Sequence, residues 1–176
     1  MKPLGAILAG GQARRFGSDK ALAALDGRAL IDHVAGALAP HCDGVILCGR
    51  AGEGGVPDRP AAGLGPLGGL NAALHAAAER GAARVLVAPC DTPLLPAMLL
   101  EALVARPGSS FVAQLPVLGI WEGALAPLCD AYIASGARGS MKAWAAEVGA
   151  EAIDWGAPIP NINSCDDLSR VTGFFP

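Results

Sequence analysis

A single α/β domain, with a mostly parallel sheet covered by helices on both faces, is the fold this sequence predicts. Three observations carry that prediction. Leu4 to Ala9, Val45 to Cys48 and Arg84 to Ala88 are continuous apolar runs rather than alternating ones, as strands buried on both faces require. Between them lie stripes at helical spacing, first Leu30, Ile31, Val34 and Leu38, then Leu70, Leu74 and Ala77. Strand, helix, strand, helix, strand is the grammar of parallel pairing, and 176 residues suit one domain, 1–176, without an internal linker.

The elements follow in order. The first strand runs directly into Gly10-Gly11, which reads as a loop at a strand's carboxyl end. Pro40 closes the first helix, and Gly49 stops the second strand. From Ala51 to Gly69 the text is rich in Gly and Pro and lacks periodicity, so it reads as one long loop. Gly81 ends the second helix. Pro96 opens a third, which extends to about Ala105. Phe111 to Gln114 and Leu118 to Trp121 read as strands, and Ala124 to Ala134 and Ser140 to Val148 as helices. Ala152 to Asp154 reads as a last short strand, with Asp166-Asp167 capping a final helical turn.

Composition narrows the function. Apolar residues make up 52% and charged ones 16%, which excludes a disordered chain. A chain of this size buries roughly 70% of its unfolded surface, so it needs no staples. The net charge of −3 argues against a general nucleic-acid binder. Against that background, Arg14, Arg15 and Lys20 form a local basic spot with Asp19 as the only acid among them, suited to a phosphate-bearing ligand. The five cysteines include no C-x-x-C pair, and they read as buried thiols in a reducing compartment. No leader pattern or apolar stretch of spanning length appears, so the expectation is a cytoplasmic protein without membrane contact. The three histidines lack ligand spacing, and Trp121, Trp144 and Trp155 read as packing residues.

Four segments carry chemistry. Leu8-Ala9-Gly10-Gly11, followed by Arg15, Gly17 and Lys20, delivers a buried strand into paired glycines and then into cations. Glycines let backbone N–H groups approach an anion, and the cations meet the charge of a triphosphate. The loop is not a P-loop, because no Gly-Lys-Ser/Thr follows. The literal G-x-G-x-x-G at Gly63, Gly65 and Gly68 follows no strand and contains Pro66, so it is read as chance. Asp91, after the third strand in Pro89-Cys90-Asp91-Thr92-Pro93, offers a hard oxygen ligand for Mg²⁺, although a capping role remains its plain alternative. Asp58 lies in a Pro-fixed loop and can accept hydrogen bonds from a nucleotide or a metal-bound water. Asn161 and Asn163 face one way if the chain is extended there, with amides suited to a pterin edge or a phosphate, and turn-and-cap chemistry ahead of the last helix is the plain alternative.

Taken together, L-A-G-G-x-x-x-R-x-G-x-D-K-A at 8–21, G-P-L-G-G at 65–69, P-C-D-T-P-x-L-P at 89–96 and N-I-N-S-x-D-D-L at 161–168 resemble the molybdenum cofactor guanylyltransferase family. The resemblance covers nearly the whole chain. It implies a Rossmann-like α/β fold, GTP with Mg²⁺, and molybdopterin as the acceptor. Gly10-Gly11 together with Pro89-Cys90-Asp91 points to the guanylyl rather than the cytidylyl branch. By motif position it assigns a nucleotide-binding loop at 8–20, with Leu8, Ala9, Gly10 and Gly11 on the nucleotide and Lys20 and Arg15 on the phosphates. It also assigns Asp58 to the nucleotide, Asp91 to nucleotide and metal, and Asn161 and Asn163 to the acceptor side within 105–168. Phe16 stands where the family usually has Met. The 105–119 stretch is shorter than the family's strand, loop and strand. The implied reaction moves GMP from GTP to the pterin's terminal phosphate and releases pyrophosphate. The implied actor is a cytoplasmic monomer in transient contact with other proteins of that biosynthesis. Two alternatives stay open: a nucleotidyltransferase for CTP or a sugar phosphate, and a non-catalytic protein that binds or delivers the cofactor.

Overall fold

The computed structural model describes residues 1–10, 20–50, 55–137 and 139–171, with Lys20 and Cys165 described by backbone alone. Strand β1 (Leu4–Leu8) comes first. A 3-10 turn (Lys20–Leu22) and a small hairpin of β2 (Ala24–Leu25) and β3 (Arg28–Ala29) lead into helix α1 (Leu30–Leu38). Then come β4 (Val45–Cys48), β5 (Gly55–Val56), α2 (Pro66–Glu79), β6 (Arg84–Pro89) and α3 (Ala97–Val104). The last third holds β7 (Ser110–Val112), β8 (Leu115–Glu122), α4 (Ala126–Ala134), α5 (Met141–Glu147), β9 (Glu151–Ile153) and α6 (Cys165–Val171).

Seven strands form one sheet in the order β5-β4-β1-β6-β8-β7-β9. All neighbouring pairs are parallel except those made by β8, which runs against both β6 and β7. From β1 the chain passes through α1 to β4 on one side, and α2 then carries it back to β6 on the other. The order therefore reverses at β1, and such a reversal opens a crevice beyond the strands' carboxyl ends.

Strand alternation explains the continuous apolar runs. Leu4, Ala6 and Leu8 of β1 and Val85 and Val87 of β6 point to the face covered by α2, α4 and α5, where they meet Leu70, Leu74 and Trp144. Ile7, Leu86 and Ala88 point to the other face, against Val34 and Leu38 of α1 and Leu99 and Leu103 of α3. Trp121 and Trp144 are fully buried, and Phe111 stacks on Trp121 with ring centroids 6.5 Å apart. Cys42, Cys48 and Cys129 are buried too, and burial pushes each thiol up to about 12. A third, smaller apolar cluster gathers Leu25, Leu30, Ile162 and Val171. Two of the three histidines take structural partners. His33 donates to the Leu25 carbonyl at 2.9 Å, and His75 and Asn71 on α2 both bond Asp130 on α4. Among the described residues, no helix is long and apolar enough to cross a membrane.

Four expectations need correction. The 51–69 loop contains β5 and yields to α2 already at Pro66, because Pro suits the first helical position and Gly68-Gly69 pack in the buried first turn. The β2–β3 hairpin went unpredicted, although Asp26-Gly27 (φ 48° and 77°) is the dipeptide a tight hairpin turn favours. The hairpin of β7 and β8 turns at Ala113-Gln114, so the strand expected to reach Gln114 stops at Val112 and its partner starts earlier, at Leu115. At the last helix Ser164 is the capping residue. Its hydroxyl accepts from the Asp167 amide at 3.2 Å, and the Asp167 carboxylate reaches back to the Asn163 amide at 3.0 Å.

Candidate active site

The carboxyl ends of β4, β1 and β6 meet through their backbones. The Ala9 N–H donates to the Cys48 carbonyl at 2.8 Å, and the Cys90 N–H donates to the Leu8 carbonyl at 3.1 Å. Leu8, Ala9 and Gly10 are thus held between the exits of both neighbouring strands. Gly10 and Gly49 touch backbone to backbone, so closely that a Cβ built on Gly49 would lie 2.5 Å from both Cα and N of Gly10.

Asp58 fills the notch beside this contact. Its Oδ1 lies within 3.4, 3.1 and 3.5 Å of the Cβ positions of Gly10, Gly49 and Gly69, and its Cβ is 3.2 Å from that of Gly68. Four glycines therefore make room for one carboxylate. Its Oδ1 is shielded from solvent and has no hydrogen-bond partner among the described residues. Burial raises the Asp58 pKa above its ordinary value. A half-buried carboxylate with an unsatisfied oxygen is an acceptor held ready for an N–H donor.

The sign of that shift gives a stability prediction. A carboxyl whose folded pKa is raised contributes stability that is complete below the ordinary value near 3.8 and is lost as pH rises through the folded value. Asp58→Asn keeps the shape and removes the charge. The variant is expected to melt about 2–4 °C above the parent at neutral pH. Thermal melts from pH 4 to pH 8 should show that gap opening as pH rises; a variant that melts lower at pH 7 would contradict the assignment.

Asp91 follows β6 by two residues and is half-buried. Thr92, fully buried, donates to the Pro89 carbonyl at 3.1 Å and closes the turn on which Asp91 sits. The Asp91 carbonyl accepts the Ile162 N–H at 2.8 Å, which docks the 161–163 segment directly beside it. Asn163 donates through its amide to the Asn161 amide oxygen at 2.8 Å, so the two asparagines share one exposed side, as alternation predicts. Among the described residues, no group of three or more His, Cys, Asp or Glu is placed to hold a metal ion. A lone carboxylate still fits Mg²⁺, which binds through one or two carboxylates together with waters and substrate phosphates.

The structure thus gathers Leu8, Ala9, Gly10 and Asp58 in one place, and Asp91, Asn161 and Asn163 in another. The Leu8–Cys90 hydrogen bond joins the two groups. Gly11 and Arg15 lie outside the described residues. Lys20 opens the 3-10 turn and is placed by its backbone alone. Reading the sequence missed the close-approach role of Gly49, Gly68 and Gly69. Their signal was a glycine at the exit of the strand beside β1 and a Gly-Gly pair in a helix start.

The family model described as the MobA-like NTP transferase domain matches residues 5–154. The chain belongs to this family. A relative in Rhodobacter capsulatus, named molybdenum cofactor guanylyltransferase, is 38% identical, with 97% of this chain and 95% of the relative covered. The crystal structure of molybdopterin-guanine dinucleotide biosynthesis protein A from Archaeoglobus fulgidus superposes with a TM-score of 0.70 at 23% identity, covering 97% of each chain. The 2-C-methyl-D-erythritol 4-phosphate cytidylyltransferase of Thermus thermophilus superposes equally well, with a TM-score of 0.71 at 14% identity over 96% of each chain. The MobA-like fold is therefore shared with an enzyme named for cytidylyl transfer, and the fold alone does not select the base.

Proposed function

We propose that this chain transfers GMP from GTP to the terminal phosphate of molybdopterin and releases pyrophosphate, in the cytoplasm and with Mg²⁺. The observation that carries the choice of base is the unpartnered Oδ1 of Asp58 in its glycine notch. Guanine presents both a ring N–H and an exocyclic amino group on one edge, and an acceptor-only carboxylate matches that pair. The relatives named guanylyltransferase support the same reading.

In this reading a phosphate oxygen of the acceptor attacks the α-phosphorus of GTP in line. The new P–O bond forms as the bond to the β-phosphate oxygen breaks, and that electron pair leaves on pyrophosphate. A phosphate nucleophile is already ionised, so no general base is required, and catalysis rests on positioning and charge stabilisation. The backbone of Leu8, Ala9, Gly10 and Gly11 holds the nucleotide. Lys20 and Arg15 stabilise the departing pyrophosphate, and Asn161 and Asn163 orient the acceptor. Asp91 holds Mg²⁺, which when bound supplies charge neutralisation on the triphosphate.

Calorimetric titration with GTP, CTP and ATP, each with Mg²⁺, tests the base assignment. GTP is expected to bind at least about tenfold more tightly than the other two, and Asp58→Asn to erase most of that difference. Tighter binding of CTP would move the chain to cytidylyl transfer. Binding of GTP without pyrophosphate release in the presence of molybdopterin would make it a binding protein.

A further inference from the structure

Asn161, Ile162 and Asn163 alternate exposed, buried and exposed, and Ile162 has no solvent exposure at all. Its side chain sits in the small cluster with Leu25, Leu30 and Val171, against which Ala23, Leu94 and Leu168 also pack. Two of the contributing segments lead straight from functional positions. Ala23 and Leu25 follow the 3-10 turn that Lys20 opens, and Leu94 stands three residues after Asp91. The backbone of Ile162 makes the remaining link, through its N–H to the Asp91 carbonyl at 2.8 Å. The Asp167 carboxylate fixes the next residue by accepting from the Asn163 amide at 3.0 Å.

From this we infer that Ile162 is a positioning residue: a strut whose backbone and side chain fix the acceptor-side asparagines against Asp91 and the arm that carries Lys20. The inference rests on the transfer reading above and assigns Ile162 no contact with substrate. In-line transfer needs the acceptor oxygen, the α-phosphorus and the leaving oxygen aligned at once. A displacement of about 1 Å at a supporting residue can cost on the order of 10²-fold in rate. Loosening the strut therefore lowers the rate of the bound complex, while the base-binding notch around Asp58 keeps its own separate supports.

Ile162→Ala, Ile162→Val and Val171→Ala form the test, because Val171 belongs to the same cluster but its backbone, unlike that of Ile162, makes no described hydrogen bond to Asp91. Each variant is melted, titrated with GTP and Mg²⁺, and assayed for pyrophosphate release with molybdopterin below its melting range. Ile162→Ala is expected to lose at least about tenfold in kcat with GTP affinity held within about twofold, and Ile162→Val to restore most of the loss. Val171→Ala is expected to lower the melting temperature about as much as Ile162→Ala does, with kcat within about twofold of the parent. Equal losses of kcat in Ile162→Ala and Val171→Ala would overturn the inference, as would a normal kcat in Ile162→Ala. Absence of turnover in the parent protein would instead overturn the transfer reading.

Discussion

Asp91→Ala is expected to lower guanylyl transfer by roughly 10²–10³-fold or more while leaving the chain folded. The separation of these two effects follows from how the residue is held. Two hydrogen bonds that do not involve its carboxylate hold position 91 in the fold: its carbonyl accepts the Ile162 N–H at 2.8 Å, and Thr92 closes the turn behind it on the Pro89 carbonyl. Truncation to alanine keeps both bonds. The half-buried carboxylate lies at the crevice end of β6, where the triphosphate and its cation are proposed to sit. Its loss should therefore cost about 1 kcal/mol or less in stability, or about 2–4 °C, against several kcal/mol in transition-state binding. Pyrophosphate release at saturating GTP and molybdopterin, paired with a thermal melt, measures both. Turnover near the parent's in Asp91→Ala would remove this residue from the proposed centre. A melting temperature lowered by about 10 °C would show that the side chain carries the fold as well.

How far the sequence reached can be judged from particular elements. β1 was legible because all five of its residues are buried, and a strand covered on both faces cannot hide among polar neighbours. The loops at Gly10 and Asp91 were legible because each follows such a strand directly. The direction of β8 was not, since an apolar strand reads the same whether it runs with or against its neighbour. The start of α2 was hidden because Gly68-Gly69 count as breakers in isolation. Their value lies in what they leave empty, which is the space Asp58 occupies. Asp58 could be named from the resemblance, but its unpartnered Oδ1 is a property of four glycines drawn from three separate segments. Ile162 was passed over between two asparagines because its partners Leu25 and Leu30 lie more than a hundred residues away.

Gly49→Ala is expected to be among the most damaging small substitutions at the described residues. The added Cβ would lie 2.5 Å from both Cα and N of Gly10, and backbone atoms cannot rotate away as a side-chain tip would. Relief would need the exits of β1 and β4 to part, yet they are bound by the Ala9 N–H on the Cys48 carbonyl at 2.8 Å, and Gly49 is itself tied on its other side to β5 through its N–H on the Val56 carbonyl, also at 2.8 Å. Gly49 also sits at φ +85°, which costs an L-residue roughly 1–2 kcal/mol before any overlap is counted. Strain and overlap together should destabilise the protein by about 3 kcal/mol or more, lowering the melting temperature by roughly 6–12 °C. The same displacement moves Leu8–Gly10 and Asp58 relative to each other, so GTP affinity should fall at least about tenfold even where the variant is folded. Gly63→Ala isolates the strain contribution, because Gly63 has φ +91° and nothing within 4 Å of its Cβ position. That control is expected to lose only about 1–2 kcal/mol and to keep its GTP affinity. If both variants melt and bind alike, the close approach of Gly10 and Gly49 is not what shapes the nucleotide site. If only Gly49→Ala fails, the strand exits must touch for the Asp58 notch to exist.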